Sequence, residues 1–281
     1  LDFYRHYYLM LSNPKNSEMQ NKVAILIPYN TLNNYMIECI EHCLDLNYSN
    51  YNIILLPDFN TKLPPHINTE KIKIIAPGNI TIAKKRNIGI RSTKADFYAF
   101  IDSDAYPVKK WLTYAIESFK TSKNIWAVGG PNITPPEENI LKKAVGNSLK
   151  SFLLSGPNTF RKKIAKNRFC NDLPTCNLIA KKECVDSIGG FNPNLVTGED
   201  IDFCEKIIKK NKKIYYNNKV IVYHHNRSLF LPFIYQRMTY GFSVARLIKE
   251  KLYLRALILL TPLFFSFFIN DFDFNGTNLG M

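Results

Sequence analysis

The sequence predicts an α/β fold of the Rossmann-like type, in which a mixed, mostly parallel sheet is flanked by helices. From Val23 onward, short apolar runs alternate with amphipathic stretches, which is the pattern of βαβ units. Polar side chains stand directly after several runs, at Asn30, Asp58 and Asp102, and such sheets bind ligands at the carboxyl ends of their strands. The chain has 281 residues, 46% of them hydrophobic, and is therefore long enough to bury a large core.

Each predicted element follows from its local pattern. Four apolar runs predict buried strands: "VAILIPYN", "YNIILLPD", "KIKIIAPG" and "FYAFIDSD". The stretches between and after them predict helices over Leu32–Leu46, Ile80–Ile90 and Lys109–Lys120. A further apolar run, "IWAVGGPN", precedes the polar and basic stretch Ile133–Arg168, where we expect a mobile insertion or a substrate-side segment. Regular structure is expected again from "LPTCNLIAKKECVDSIGGF" to "VIVYHH".

The predicted organisation has three parts. Residues 1–20 form an N-terminal arm, residues 21–228 the α/β domain, and residues 229–281 C-terminal helices and a tail. Phe230–Lys251 mixes aromatic with basic residues, as an interfacial helix does. Ala256–Ile269 is almost wholly apolar, but it is shorter than the roughly 20 residues of a spanning helix, and Pro262 interrupts it. We expect this amphipathic and hydrophobic segment to associate with a membrane, peripherally or as a single span; a buried core helix is the alternative.

The charge of the chain points to an anionic partner. Lys and Arg number 37 against 23 Asp and Glu, which gives a net charge of +14. The basic residues are dispersed as short pairs, and no helix-turn-helix, zinc-finger or RNP-type signature accompanies them. We therefore expect a membrane surface or a phosphorylated small molecule as the partner, and no nucleic acid.

The six cysteines form no CxxC pair, which predicts reduced thiols and a cytoplasmic location, on the cytoplasmic face of the membrane if the C-terminal segment attaches there. Cys39, His42 and Cys43 have a spacing that a zinc site would allow. However, Cys39 and Cys43 share a helical stripe with Met36 and Ile40, so packing as small core residues is favoured.

The stretch "FIDSDAYP" is the strongest candidate for a metal site. Strand alternation places Asp102 and Asp104 on one face and Ser103 on the other. Two carboxylates that converge repel each other unless a cation or several donors stabilise them. Oxygen ligands of this kind suit Mg²⁺ or Mn²⁺ together with substrate phosphates. A polar turn is the alternative, because Asp and Ser also favour turns.

Two further motifs add acidic and imidazole groups. In "TGEDIDFC", Glu199 and Asp200 stand where a helix begins, either as a general base or as acids that complement the helix dipole. The run "VIVYHH" ends in His224 and His225, and either imidazole is a candidate ligand from a distance in sequence.

Taken in order, these motifs resemble the inverting family 2 glycosyltransferases of the GT-A fold. The resemblance extends from about Val23 to His225 and rests on "VAILIPYN", Asp58, "AKKRNIGI", "FIDSDAYP", "SIGGFNPNLVTGEDIDFCEKI" and "VIVYHH". It implies a GT-A catalytic domain over 21–228, whose first half (about 21–130) binds the nucleotide and whose second half (about 131–228) faces the acceptor.

The resemblance also implies roles for individual residues at the carboxyl edge of the sheet. Asp200 resembles the catalytic base, with Glu199 beside it, and Asp104 resembles the metal ligand, assisted by His224 or His225. Gly190 and Phe191 resemble a turn that borders the acceptor pocket. The residues that resemble nucleotide contacts are Pro28, Tyr29, Asn30, Asp58, Arg86, Asn87 and Asp102.

The sequence departs from the family pattern at two places. Pro57 replaces the first acid of a pair that ends the second strand, which weakens base recognition through Asp58. Processive members have a Q-x-x-R-W motif, whereas here Gln236 is followed by Thr239 and Tyr240 at the Arg and Trp positions. The resemblance therefore favours addition of a single sugar over polymerisation.

We thus expect a metal-dependent inverting glycosyltransferase that uses Mn²⁺ or Mg²⁺ and a UDP- or GDP-linked sugar. The expected acceptor is a glycan or a lipid-linked molecule near a membrane, on the way to a cell-envelope glycan. A nucleotidyltransferase is one alternative, but no early Gly-rich phosphate loop is present. A catalytically silent nucleotide-binding member is the other, and the retained Asp102, Asp104 and Asp200 argue against it.

Overall fold

The computed structural model describes residues 20–67 and 70–226. Eleven strands are present in these ranges: β1 (Val23–Pro28), β2 (Tyr51–Leu56), β3 (Ile72–Ile74), β4 (Phe97–Phe100), β5 (Ala105–Pro107), β6 (Ile125–Gly129), β7 (Asn132–Ile133), β8 (Arg168–Cys170), β9 (Leu178–Lys181), β10 (Lys213–Tyr216) and β11 (Val222–His224). The α-helices in the same ranges are α1 (Asn34–Leu44), α2 (Ile82–Arg91), α3 (Trp111–Lys120), α4 (Ile140–Leu149), α5 (Phe152–Ser155), α6 (Lys182–Ile188) and α7 (Glu199–Lys209).

Eight strands form one large sheet in the order β3-β2-β1-β4-β9-β6-β10-β8. The pairs β1–β2, β2–β3, β1–β4 and β6–β10 are parallel. Strand β9 is antiparallel to both of its neighbours, and β8 is antiparallel to β10 at the edge. The predicted α/β fold with a mixed, mostly parallel sheet is therefore confirmed.

The sheet is buried on both faces because helices cover each side. In β1, Val23, Ile25 and Ile27 pack in one core together with residues of α1 and α3. The alternate residues Ala24 and Leu26 pack in a second core with residues of α2, α6 and α7. A strand that contacts apolar neighbours on both faces needs a continuous hydrophobic run, and this explains why "VAILIP" shows no polar alternation.

Helix α1 places its two cysteines in the core, as the helical stripe predicts. Cys39 and Cys43 are fully buried and pack with Met36 and Ile40, whereas the ring of His42 stacks on Tyr106. These three residues do not form a metal site. The helix begins later than predicted because the side chain of Asn33 caps it by accepting a hydrogen bond from the Met36 amide.

The stretch Ile133–Arg168 is more regular than the sequence suggested. We expected an insertion rich in loops, but the structure contains α4, α5 and a 3₁₀ segment over Gly156–Lys162. Asn139 caps α4 through the Lys142 amide. The helix was missed because its apolar residues Ile140 and Leu141 are exposed, so it has no clear buried stripe from which a helical period is recognised.

A second sheet of three strands, ordered β5-β11-β7, positions the candidate site. Strand β11 is antiparallel to β5, and His224 is paired with Ala105, the residue that follows Asp104. The backbone amide of His225 donates to the Asp104 carbonyl at 2.9 Å. This register brings the histidines beside "DSD", although about 120 residues separate them along the chain.

Within the described ranges, no helix is both long enough and apolar enough to cross a membrane. The predicted N-terminal arm and the C-terminal segment 229–281, including Gln236, Thr239 and Tyr240, lie outside these ranges.

Candidate active site

Asp102, Asp104 and Cys176 lie around the His224 imidazole at the end of β4, and we call these four residues the DSD site. The His224 Nε2 atom lies 3.5 Å from an Asp104 oxygen and 3.8 Å from an Asp102 oxygen. Donor atoms of Asp102, Cys176 and His224 all lie within 4.8 Å of one another. Carboxylates and an imidazole at these separations fit a divalent cation such as Mn²⁺.

Arg86 connects this site to the start of α7. Its guanidinium is almost fully buried, at 1% exposure, and donates to Asp102 at 3.0 Å and to Glu199 at 2.8 Å. Partial burial alone would raise the pKa of Asp102, but the neighbouring His224 and Arg86 outweigh it and lower that pKa. Arg86 thereby holds together two acidic motifs that lie 97 residues apart in sequence (102 to 199).

Asp200 follows Glu199 in the first turn of α7. The helix begins after Gly198, whose φ of +78° is in the left-handed region that favours glycine. Burial and the charge of Glu199 raise the pKa of Asp200 to about 6, although Arg161, the Ile201 amide and Arg86 act in the opposite direction. A carboxyl with such a pKa accepts a proton readily near neutral pH, which suits a general base.

The predicted nucleotide side contains a buried lysine that sequence analysis did not single out. Lys85 donates to the Tyr29 carbonyl at 2.7 Å and forms an ion pair with Asp58. Lys85 and Asp58 are 1% and 8% exposed. The sequence feature that could have identified Lys85 is its position in "AKKRNIGI", one residue before Arg86, on the side of α2 that faces the sheet. Pro28 ends β1, and Asn30 is exposed just beyond it.

Asn87 contacts the predicted acceptor turn. Its amide donates to the Phe191 carbonyl at 2.7 Å and accepts from the Phe191 amide at 3.0 Å. Gly190 has a φ of +72°, and a Cβ there would lie 2.7 Å from the Asn87 side-chain oxygen. Only glycine therefore fits this turn without displacement, and both polar atoms of Asn87 are engaged with Phe191.

His225 lies in a different environment from His224. Its ring bonds Glu38 at 2.8 Å through Nε2 and Glu138 through Nδ1. Glu138 also pairs with Lys142 at 3.1 Å, and we call Glu38, Glu138, Lys142 and His225 the His225 cluster. Of the two predicted histidines, the structure brings only His224 to the carboxylates of the DSD site.

The His225 cluster borders a cavity of about 400 Å³. Tyr106 and Tyr223 also line it and stack on each other, with ring centres 5.1 Å apart. Successive residues of a strand point to opposite faces, so this cavity lies on the other side of β11 from His224.

Cys176 and Asn177 were also missed by sequence analysis. Cys176 is 5% exposed, and burial raises the pKa of its thiol to about 12. Fully buried Asn177 accepts from the Trp111 indole at 2.8 Å and donates to the carbonyls of Pro131 and Val220 at 3.1 and 2.8 Å. These bonds fix the segment that supplies Cys176. No local signal in "LPTCN" reveals this role, because all partners are distant in sequence.

The fold and the site together define a class of enzyme. A mixed α/β sheet whose edge gathers a DxD pair, a histidine and a helix-initial Glu-Asp pair is the arrangement of GT-A glycosyltransferases. The family model described as glycosyl transferase family 2 matches residues 24–188, more than half of the chain. The chain belongs to this family and is a glycosyltransferase, as its motifs predicted.

Individual relatives are more distant. A Methanococcus voltae protein named dolichyl N-acetyl-alpha-D-glucosaminyl phosphate 3-beta-D-2,3-diacetamido-2,3-dideoxy-beta-D-glucuronosyltransferase is 26% identical over 244 residues, which are 82% of this chain and 75% of that protein. The pre-mycofactocin glycosyltransferase of Mycobacterium tuberculosis (strain CDC 1551 / Oshkosh) is 27% identical over 165 residues, which are 59% of this chain but only 34% of the relative.

A solved structure supports the fold. The mannosyltransferase PcManGT from Pyrobaculum calidifontis, in complex with GDP-Man and Mn²⁺, superposes with a TM-score of 0.61. It covers 92% of this chain and 75% of its own length at 14% identity, so the likeness concerns the fold. The Mn²⁺ in that complex agrees with the divalent cation predicted from the sequence.

Proposed function

We propose that this glycosyltransferase moves a single sugar from a nucleoside-diphosphate donor to a membrane-proximal acceptor, with inversion at the anomeric carbon. The observation that carries the proposal is the Arg86 bridge between Asp102 and Glu199. It joins the DSD site to the helix turn that contains Asp200, a carboxyl with a pKa raised to about 6. In this proposal Arg86 keeps the cation site and the base in a fixed relative position, which an inverting displacement requires.

The DSD site would receive the diphosphate of the donor. A divalent cation, Mn²⁺ or Mg²⁺, bound there would neutralise the charge that develops on the departing nucleoside diphosphate. In this proposal Asp104 and His224 hold the cation, and Asp102 remains with Arg86 beside the ribose. The placement of His225 in its own cluster supports His224 as the histidine ligand.

The nucleoside would lie over the ends of β1 and β2. Pro28, Tyr29 and Asn30 form one wall in this proposal, and Asp58 contacts the base while Lys85 fixes its carboxylate. Asn87 holds the Phe191 backbone through both polar atoms of its amide, and in this proposal its second amide hydrogen contacts the nucleotide.

Asp200 would remove the proton from an acceptor hydroxyl as this attacks the anomeric carbon from the face opposite the leaving group. Glu199, held by Arg86, and the turn at Gly190 and Phe191 would border the acceptor. If the acceptor were a phosphate it would already be ionised, and Asp200 would then position it rather than deprotonate it.

A lipid-linked or glycan acceptor at the cytoplasmic face of a membrane is supported by three observations. The name of the M. voltae relative includes a dolichyl phosphate sugar. The chain has a net charge of +14 and an apolar stretch near residue 260, and both favour an anionic membrane surface. UDP- and GDP-linked sugars are the donor classes to test first.

The test is a panel of UDP- and GDP-sugars, assayed with Mn²⁺, Mg²⁺ or EDTA for release of the nucleotide product. Metal-dependent release of UDP or GDP supports transfer. Release of pyrophosphate from UTP or GTP and a sugar 1-phosphate, assayed in parallel, would indicate a nucleotidyltransferase, and no turnover in either assay would indicate a silent member. Asp200→Asn should abolish release, and Asp202→Asn is the matched control because Asp202 stands in the same helical turn and pairs with Lys206 at 2.8 Å. Full turnover by a folded Asp200→Asn protein would refute the base assignment.

A further inference from the structure

We propose that the sulfur of Cys176 is a direct ligand of the cation in the DSD site, which makes this site softer than one built from carboxylates and imidazole alone. The inference rests on the proposed function insofar as it assumes that a divalent cation binds at His224, and it adds to the ligands the Asp102 oxygen that faces His224 rather than the one that Arg86 holds. It concerns which metals the site selects and which atoms hold them.

The geometry places the sulfur within reach of the same ion as its neighbours. Donor atoms of Asp102, Cys176 and His224 lie within 4.8 Å of one another. Two ligands of one ion, at metal distances of about 2.0–2.3 Å, lie at most about 4.5 Å apart. A shift of a few tenths of an ångström therefore suffices to bring all three onto one cation.

The hydrogen bonds of Cys176 distinguish it from other cysteines of the chain. Cys39, Cys170 and Cys204 each donate their thiol hydrogen to a backbone carbonyl, at 3.7, 3.9 and 3.6 Å. Cys176 instead accepts a hydrogen bond from the Asn132 side-chain amide at 3.0 Å, and no described residue accepts one from it. No protein carbonyl in the described ranges therefore has to be displaced when this sulfur binds a cation and loses its hydrogen.

The surroundings also restrict what else this sulfur could do. Cys176 is 5% exposed, so oxidants and alkylating agents reach it poorly, and the hydrogen bonds of Asn177 hold its backbone in place. On binding, the thiol proton leaves to solvent and the thiolate donates its electron pair to the cation. No redox step is involved.

A thiolate in the site alters metal preference. Soft sulfur ligands favour Co²⁺ and Zn²⁺, whereas Mg²⁺ prefers oxygen. We therefore expect the protein to bind Co²⁺ and Mn²⁺ more tightly than Mg²⁺, and to lose about a factor of ten or more in Co²⁺ affinity when the sulfur is replaced by oxygen.

The experiment is a titration of the full chain with Co²⁺, followed by absorption spectroscopy without any sugar donor. The wild-type protein should develop a thiolate-to-Co²⁺ charge-transfer band in the near ultraviolet, and Cys176→Ser should lack it while its Mg²⁺ affinity changes by less than about twofold. Cys39→Ser is the matched control, since Cys39 is the thiol bonded to the Asp102 backbone, and it should retain the band.

The outcomes separate this inference from the proposed function. Co²⁺ binding that His224→Ala weakens, but without a charge-transfer band in wild type, would overturn the sulfur ligand and leave the metal site standing. A band that persists in Cys176→Ser would also overturn it. No Co²⁺ binding by any variant would contradict both proposals. If Cys176→Ser unfolds, the other proteins still test the sulfur ligand. A band that is present in wild type and in Cys39→Ser, but is lost in His224→Ala, would support it. Absence of the band in wild type would overturn it.

Discussion

The two faces of β11 place the neighbouring residues His224 and His225 in different surroundings. His224 faces the DSD site, where its nearest carboxylate oxygens lie at 3.5 and 3.8 Å, a spacing that leaves room for an ion among them. His225 lies in the His225 cluster, bonded at 2.8 Å to Glu38 and also to Glu138. One imidazole is thus available for a ligand, and the other is fully used by the protein. Strand alternation alone places the two imidazoles in these different surroundings.

The largest expected difference is in activity between the two histidine variants. His224→Ala should reduce kcat/KM about 100-fold or more, because it removes a proposed cation ligand. His225→Ala should change kcat/KM by less than about threefold but lower the free energy of unfolding, since it leaves two acids without their partner.

Steady-state kinetics over a range of Mn²⁺ concentrations, combined with urea unfolding, measures both effects. Excess Mn²⁺ should partly restore His224→Ala and leave His225→Ala unchanged. Equal losses of activity in the two variants would contradict the different roles proposed for His224 and His225.

The second difference concerns the positively charged side chain of each region, which is Arg86 at the DSD site and Lys142 in the His225 cluster. Arg86→Ala should destabilise the fold by about 3 kcal/mol and also abolish transfer, because it leaves Glu199 and Asp102 without their shared partner. Lys142→Ala should destabilise the His225 cluster but retain activity. Urea unfolding monitored by circular dichroism gives the first quantity, and the donor panel gives the second; an active Arg86→Ala protein would contradict the bridge.

The third difference is in pH dependence. Because burial and Glu199 raise the pKa of Asp200 to about 6, kcat/KM should fall about tenfold per pH unit below that value. The same shift means that the charged carboxylate is disfavoured in the folded state above pH 6, so Asp200→Asn should increase the free energy of unfolding at pH 7. A flat pH–rate profile from pH 7 to 5 would contradict the assignment of Asp200.

The fourth and smallest expected effect concerns Glu138, whose pKa is lowered, whereas the pKa of Asp200 is raised. Burial alone would raise the pKa of Glu138, but hydrogen bonds from His225 and Lys142 outweigh it and lower that pKa below the ordinary value of 4.5. Its contribution to stability is therefore present above pH 4.5 and is lost as the pH falls through the lowered value. Glu138→Gln should cost about 1 kcal/mol at pH 7, a difference that disappears in unfolding experiments at acidic pH.

Sequence patterns predicted the fold where the interactions are local or periodic. The runs of β1, β2 and β4 showed buried parallel strands, and the stripe of Cys39 and Cys43 showed the core face of α1. The reversed direction of β9 and the separate sheet of β5, β7 and β11 were not predictable, because strand pairing depends on partners far away in the chain.

The same distinction between local motifs and contacts with distant residues applies to the candidate site. Asp102, Asp104 and the Glu199–Asp200 pair were visible as short motifs. Cys176 was not, because its significance depends on an approach to His224 across 48 residues of sequence (176 to 224). The distinct partners of His224 and His225 were likewise invisible to a motif that contains both.

The Arg86 bridge has a consequence for how the chain can be divided or recombined. Arg86 is buried in the first half of the domain, whereas Glu199 belongs to the second. A fragment that ends before α7 would leave the guanidinium with one of its two partners in a water-poor environment. Split versions of this enzyme, or chimaeras joined between β6 and α7, should therefore regain a working site only when both pieces bring matching partners for this arginine.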